Sequence, residues 1–301
     1  MTVAEQRLEQ TLPPVRRQAV DWLPYVLLLP TVVFLAVFFV YPMLQAFVLS
    51  FRSPEGAITL RYFQAMLKDT YFAGALRNSF LLTAIIIPLQ VVLALVIALL
   101  INTRFQGHPW FLFICAIPLG ISDLGAGLIW SSFFTERGYL NLILQNLGLI
   151  NEPITFLSFE RPAWLYGAIV ATEVWRATAI VMVILVAGLQ LIPKDYFETA
   201  DVFGASSWRK LRYVTLPLLR PALQTALIIR TILAFQLFAT VIVMAGRIVP
   251  VLAGEAYFQY GLLRNVNIAS AYAVLIMTLS MTITIFYLWL LRTKEEELGR
   301  G

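Results

Sequence analysis

Six separate apolar stretches, each close to or beyond the roughly 20 residues that cross a bilayer as a helix, constrain this chain more than any other feature. They lie at 22–49, 80–101, 110–134, 164–191, 222–245 and 271–291, with short polar connections filling most of the remainder. A soluble domain runs to about 45–50% apolar and about 25% charged residues. Here 60% of residues are hydrophobic and 13% charged, and the mean hydropathy is +0.80. A water-soluble globule of that composition would expose apolar patches over most of its surface. The runs are continuous, whereas strands of an outer-membrane barrel alternate over about 10 residues, so a barrel is excluded. The expected fold is an all-α polytopic membrane protein with six transmembrane helices. One cysteine, Cys115, excludes a disulfide framework, and with one histidine, His108, it excludes a His/Cys metal cluster.

The first apolar run is far longer than the roughly 7–15 residues of a signal-peptide core and ends at no Ala-x-Ala site, so it reads as an uncleaved span. Orientation follows from Lys and Arg near the span ends. With the N-terminus inside, twelve of the 22 basic residues fall on the cytoplasmic side and eight outside, while Arg176 and Arg230 lie within spans. Both termini are therefore expected in the cytoplasm. The net charge of +5 reads as a topology signal rather than a nucleic-acid surface. This divides the chain into a cytoplasmic segment 1–21, a single transmembrane domain 22–292 and a cytoplasmic tail 293–301. The loops 51–78, 135–163 and 246–270 exceed what a tight turn needs, and their aromatic and polar content predicts short interfacial helices or a docking surface. No clear internal repeat supports the inverted-repeat architecture of secondary transporters.

The segment 192–220, between the fourth and fifth spans, carries the most information. Pro193 stops the incoming span, and Lys194 to Phe203 can form a helix with Phe197, Ala200, Val202 and Phe203 on an apolar side. Gly204 lets the backbone turn. Ser206 or Ser207 can cap a second helix from Trp208 to Val214, which carries Arg209, Lys210 and Arg212 before Pro217 and Pro221. The result is a basic, aromatic, helical elbow, which suits either the membrane interface or a soluble cytoplasmic partner.

The run Glu198-Thr-Ala-Asp-Val-Phe-Gly204, followed by Trp208 and by Val214-Thr-Leu-Pro217, resembles the coupling-loop motif of ABC importer permeases, and within them the maltose-type carbohydrate permeases. Tyr196, Thr199 and Phe203 depart from the usual Leu, Ala and Asp of that motif. Tyr41-Pro42, Pro118, Trp130 to Phe134, Gly138, Asn141 and Glu173-Val-Trp175 extend the resemblance over roughly 22–292. The stretch Met244 to Gly254 departs from the Gly-Gly-Pro-rich pattern usual there. The resemblance implies an ABC type I importer permease fold, with Glu198, Ala200, Asp201, Gly204, Trp208 and Pro217 as the ATPase-coupling residues. Glu198 would face the ATPase or cap the elbow, Gly204 would set its angle, and Trp208 would anchor the second helix on its own transmembrane helices. No Gly-x-x-x-x-Gly-Lys-[Ser/Thr] phosphate loop occurs. The resemblance implies that ATP and Mg bind to two partner ATPase subunits, with no cofactor on this chain. The other implied partners are a second, different permease subunit, an extracytoplasmic solute-binding protein and a carbohydrate, in a prokaryotic inner membrane.

Ionisable residues inside a bilayer cost about 2.5–3.5 kcal/mol each on the insertion scale, so each calls for a partner or a task. Glu173 and Arg176 share a helix face at i, i+3. Glu173 and Arg230 each lie about nine residues into their spans, roughly 14 Å deep and near the midplane, so Glu173 is expected to pair with Arg176, Arg230 or both. Trp175, Gln236 and Asp123, the last beside Ser122, Gly120 and Gly125, complete the candidates for a polar translocation path: aromatic faces suit a pyranose, and Gln, Asp and Arg suit its hydroxyls. No nucleophile–base constellation can be assembled, so the chain is not expected to be an enzyme. The competing readings are the same fold importing a polyol or a glycerol phosphate, and an ion-coupled secondary transporter.

Overall fold

The computed structural model describes residues 22–290; the segments 1–21 and 291–301, and with them the placement of the termini, lie outside the described residues. Among the described residues the chain is helical, with one isolated antiparallel bridge between Arg52 and Ile58. It divides after Gln45 into two compact units.

The first unit holds most of α1, Leu23–Phe51, an apolar helix with a π turn at Ala36–Val40. That turn has a sequence cause. Pro42 offers no N–H and its ring crowds the carbonyl four residues back, and the chain responds by letting the Tyr41 N–H reach Ala36, five residues back. The same device recurs before Pro217, where the Leu216 N–H reaches Leu211.

The second unit contains α2 (Arg61–Leu67), α3 (Phe72–Asn102), α4 (His108–Ala116, prolonged by a 3₁₀ turn at Ile117–Gly120), α5 (Asp123–Phe134) and α6 (Tyr139–Asn146). There follow α7 (Pro162–Gln190), α8 (Lys194–Val202), α9 (Ser207–Leu218), α10 (Arg220–Phe235), α11 (Ala239–Ala245), α12 (Leu252–Gly261) and α13 (Val266–Leu290). Helices α3 and α7 form the axis of the unit and run parallel. Leu82 and Ile86 pack near Leu165, Ala168 and Ile169 at one end, and Ala94, Ala98 and Ile101 near Val181, Met182, Leu185 and Leu189 at the other. Small residues bring the backbones close, as membrane helices require. Ala94 and Ala98 are fully buried, and a Cβ on Gly188 of α7 would stand 2.4 Å from the Cβ of Ala222 in α10. Helix α13 packs on α10, α12 and α2.

Among the described residues four helices are long and apolar enough to cross a membrane, Leu23–Phe51, Phe72–Asn102, Pro162–Gln190 and Val266–Leu290, and up to six spans result if each bent pair counts as one. The third and the fifth apolar runs are each interrupted. The third run breaks by 102° between His108–Gly120 and Asp123–Asn146. Pro118 sits in the 3₁₀ turn, Ile121 is extended, and the Ser122 hydroxyl caps the next helix by accepting from the Gly125 N–H at 3.1 Å. The fifth run stops at Phe235 and resumes at Ala239, although no Pro or Gly lies between. A further bend of 66° separates α9 from α10.

Candidate functional site

Both interruptions converge on one carboxylate. Glu173, in the middle of α7, is fully buried. Its Oε2 accepts from Arg176 Nη2 and from Arg230 Nη2, each at 3.1 Å, and its Oε1 accepts from the Thr240 hydroxyl at 2.7 Å. Thr240 opens the helix beyond the break in the fifth run and also lies 3.2 Å from the Asp123 carbonyl. Asp123 opens the helix beyond the break in the third, and its carboxylate pairs with Arg176 Nη1 at 2.8 Å. Gln90 of α3 closes the arrangement with both ends of its amide: Oε1 accepts from Arg230 Nε at 2.6 Å, and Nε2 donates to the Glu173 carbonyl at 2.8 Å.

Two carboxylates thus balance two guanidinium groups, which is how ionised groups persist in a low-dielectric interior. The expected pairing of Glu173 is realised with both arginines. Burial is graded across the network. Glu173 and Arg230 have 0% and 1% of their side chains exposed, Arg176 has 17% and Asp123 has 45%. The buried Nε of Arg176 has no acceptor among the described residues.

Trp175 and Gln236 lie apart from this network. Trp175 meets Trp130 edge-on, ring centroids 5.7 Å apart, and lines an apolar cavity of about 310 Å³ with Leu93, Ile97, Cys115 and Met182. Gln236, at the break of the fifth run, lines a groove of about 560 Å³ beside Ser280 and Thr284. The hydroxyls of these two residues find no acceptor among the described residues, while Thr278 and Thr282 on the same helix bond back four residues to Val274 and Thr278.

The segment 194–218 forms two helices joined at Gly204. Helix α8 ends in a Schellman turn: Gly204, at φ +67°, donates to the Asp201 carbonyl at 2.9 Å, and Ala205 donates to Ala200 at 2.9 Å. The Ser206 hydroxyl accepts from the Arg209 N–H at 3.4 Å and caps α9, and Lys210 pairs with Asp201 across the hinge. Pro217 is half-buried in the last turn of α9. Glu198 is exposed and makes no side-chain hydrogen bond with a described residue. Trp208 corrects the expectation that it anchors α9 on the chain's own helices, because 67% of it is exposed. Val202 and Phe203 project further, at 86% and 84%.

Reasoning from the sequence missed three polar residues. Gln90 and Thr240 were legible in principle, since a polar side chain in an apolar span must find a partner. The third is Glu255 in α12, with a fully buried side chain that accepts from Arg247 Nε and Nη2 at 3.1 and 2.5 Å. The Arg247 guanidinium lies 3.8 Å from the Tyr71 ring centroid and 5.0 Å from that of Phe258. The hydrogen bonds to Glu255 hold its pKa above the ordinary arginine range. This cluster ties the aberrant stretch 246–251 to α12.

The family described as "Binding-protein-dependent transport system inner membrane component" matches residues 17–295. The chain is 34% identical over 285 residues to the sulfoquinovosyl glycerol transport system permease protein SmoG of Agrobacterium fabrum, covering 91% of each chain. It is 30% identical over 282 residues to the trehalose/maltose transport system permease protein MalF of Thermococcus litoralis, covering 88% of this chain and 92% of that one. Its fold is similar to a chain in the crystal structure of a bacterial ABC transporter involved in the import of the acidic polysaccharide alginate, with a TM-score of 0.77 and 23% identity over 90% of this chain and 96% of that one. A polytopic helical architecture and a match over nearly the whole length agree: the chain belongs to the binding-protein-dependent transport system inner membrane components, as an ABC importer permease.

Proposed function

We propose that this chain is a permease subunit of an ATP-driven importer and forms part of the path for a carbohydrate, a di- or oligosaccharide, handed over by an external solute-binding protein. The elbow carries this reading. The segment between the fourth and fifth spans presents Val202, Phe203 and Trp208 to the outside on two short helices held by the Gly204 turn and the Lys210–Asp201 pair. Exposed aromatic side chains at the rim of a rigid projection favour a soluble docking partner. The partner is an ATPase subunit, since the sequence holds no phosphate loop of its own. Two such subunits bind the ATP and Mg, and a second permease chain completes the path.

Because α3 and α7 run parallel, the basic residues after both helices, Arg104 together with Lys194, Arg209, Lys210, Arg212 and Arg220, fall at the elbow end. That asymmetry supports a cytoplasmic elbow and cytoplasmic termini. The solutes in the names of the relatives, sulfoquinovosyl glycerol, trehalose and maltose, support a glycoside as cargo. The polar groups available to sugar hydroxyls are Asp123 and Arg176 at the exposed end of the charge network and Gln236 in its groove.

The test is reconstitution of the complex in liposomes with candidate solutes and internal ATP. ATP-dependent uptake of a glycoside that requires the binding protein is the expected result. Uptake driven by an ion gradient without an ATPase would overturn the reading, and uptake of only a polyol or glycerol phosphate would replace the cargo.

A further inference from the structure

Helices α5 and α11, the two segments that follow the breaks, pack on each other without room for a side chain at the crossing. A Cβ on Gly127 of α5 would stand 3.2 Å from the Thr240 Cα and 3.3 Å from the Val243 Cβ of α11. The two segments are thus closely packed. Polar contacts tie that pair to α7 at two points, Thr240 to Glu173 and Asp123 to Arg176.

The two points differ in kind. Glu173, Thr240, Gln90 and Arg230 are each 0–1% exposed, and every one of these groups is engaged in a buried contact with another. Separating them would leave charged and polar atoms bare in the membrane interior. The Asp123–Arg176 contact carries a smaller penalty. Asp123 has 45% of its side chain exposed, where water can solvate it, and it stands in the first turn of the twelve-residue α5, where the helix N-terminus favours negative charge. Arg176 keeps Glu173 when Asp123 leaves. Each partner thus has a second source of stabilisation. Behind Asp123, the extended Ile121–Ser122 link frees α5 from α4, so the pair can tilt without unwinding a helix.

Resting on the reading of this chain as an importer permease, we infer that Asp123 and Arg176 form a displaceable gate pair. Their contact holds the α5–α11 pair against α7 in one access state and parts in the other, while the Glu173–Arg230–Gln90–Thr240 core remains joined as the pivot. Asp123 is a positioning residue for transport: it acts through the orientation of α5, on the equilibrium between access states.

The experiment uses the purified importer complex in nanodiscs and reads two quantities, ATP hydrolysis without binding protein and the thermal midpoint. Asp123→Asn keeps size and helix cap geometry but removes the attraction to Arg176. It is expected to raise basal hydrolysis at least threefold, to compress the stimulation by loaded binding protein, and to leave the midpoint unchanged. Asp123→Glu is expected to return basal hydrolysis toward wild type. Gln90→Leu, within the pivot, should show the opposite pattern, a lowered midpoint. Basal hydrolysis by Asp123→Asn equal to wild type would overturn the inference. So would a lowered midpoint or failure to assemble in Asp123→Asn, because either places Asp123 in the fixed core. If the wild-type chain associates with no ATPase at all, it is the function proposed above that fails.

Discussion

Glu173→Gln tests the physical account of the interior most directly. Glutamine has the same shape and can still accept from one neighbour, but its amide nitrogen must face either the Thr240 hydroxyl, now 2.7 Å away, or two guanidinium groups at 3.1 Å. The balance of two carboxylates and two arginines becomes one net positive charge, with Arg230 at 1% exposure and no route to water. Removing one partner of a buried ion pair costs about 3–5 kcal/mol, and the insertion cost of an unpaired arginine, about 2.5–3.5 kcal/mol, is of the same size. Set against a total stability of about 5–15 kcal/mol, that is a large share. At about 2–4 °C per kcal/mol for a domain of this size, the thermal midpoint of the detergent-purified complex should fall by about 6–20 °C. Adding Arg230→Gln restores neutrality, so the double variant should recover at least about 1 kcal/mol relative to the sum of the single changes. A Glu173→Gln protein melting within about 2 °C of wild type would refute the reasoning, since the carboxylate could not then be the counter-charge of both arginines.

Three further outcomes follow from the same geometry. Gly188→Ala places a methyl group 2.4 Å from that of Ala222, and the overpacking should cost about 1–3 kcal/mol of stability, relieved by Ala222→Gly in the same chain. Gly204→Ala meets no atom within 4 Å, so its cost of about 1 kcal/mol comes from the positive φ alone; the midpoint should hardly move, while hydrogen exchange in Lys194–Val202 quickens and the ATPase binds less tightly. Arg247→Ala strands the buried Glu255 and should lower stability by about 1–3 kcal/mol, less than for a fully buried pair because Arg247 is 29% exposed. A raised arginine pKa contributes stability that is complete below the ordinary arginine value and lost only as pH climbs through the higher folded value. The deficit of Arg247→Ala relative to wild type should therefore be flat from about pH 6 to about pH 9, as checked by thermal melts, and a deficit that varied across that window would count against the pairing.

The legible parts of this molecule are those whose cause is local. Pro193, the Gly204 turn and the Ser206 cap fix the elbow within a dozen residues, and the observed helices begin and end within a few residues of where that chemistry puts them. The contact of Glu173 with Arg176 follows from helical spacing, and its contact with Arg230 from equal depth in two antiparallel spans. Trp208 shows the limit. An aromatic residue beside a basic run reads equally as buried anchor or exposed contact, and only packing distinguishes them. Glu255 escaped notice because it lies in a loop-length segment, where an acidic residue needs no explanation until it is seen fully buried.

What the sequence alone determined is the solvent and the architecture: apolar length dictates helices in a bilayer, low charge forbids a soluble surface, and basic residues cluster at span ends. It also determined that any charge left inside must be paired, because the bilayer offers no water. What only tertiary structure decided is where the fifth apolar run stops being a helix. Nothing between Phe235 and Ala239 breaks a helix by itself. Beyond the break the Thr240 hydroxyl meets the Glu173 carboxylate and the Asp123 carbonyl, and those partners are 67 and 117 residues away in the chain. Local periodicity reports how a segment could hydrogen-bond with itself, and it carries no information about a better partner supplied by another helix.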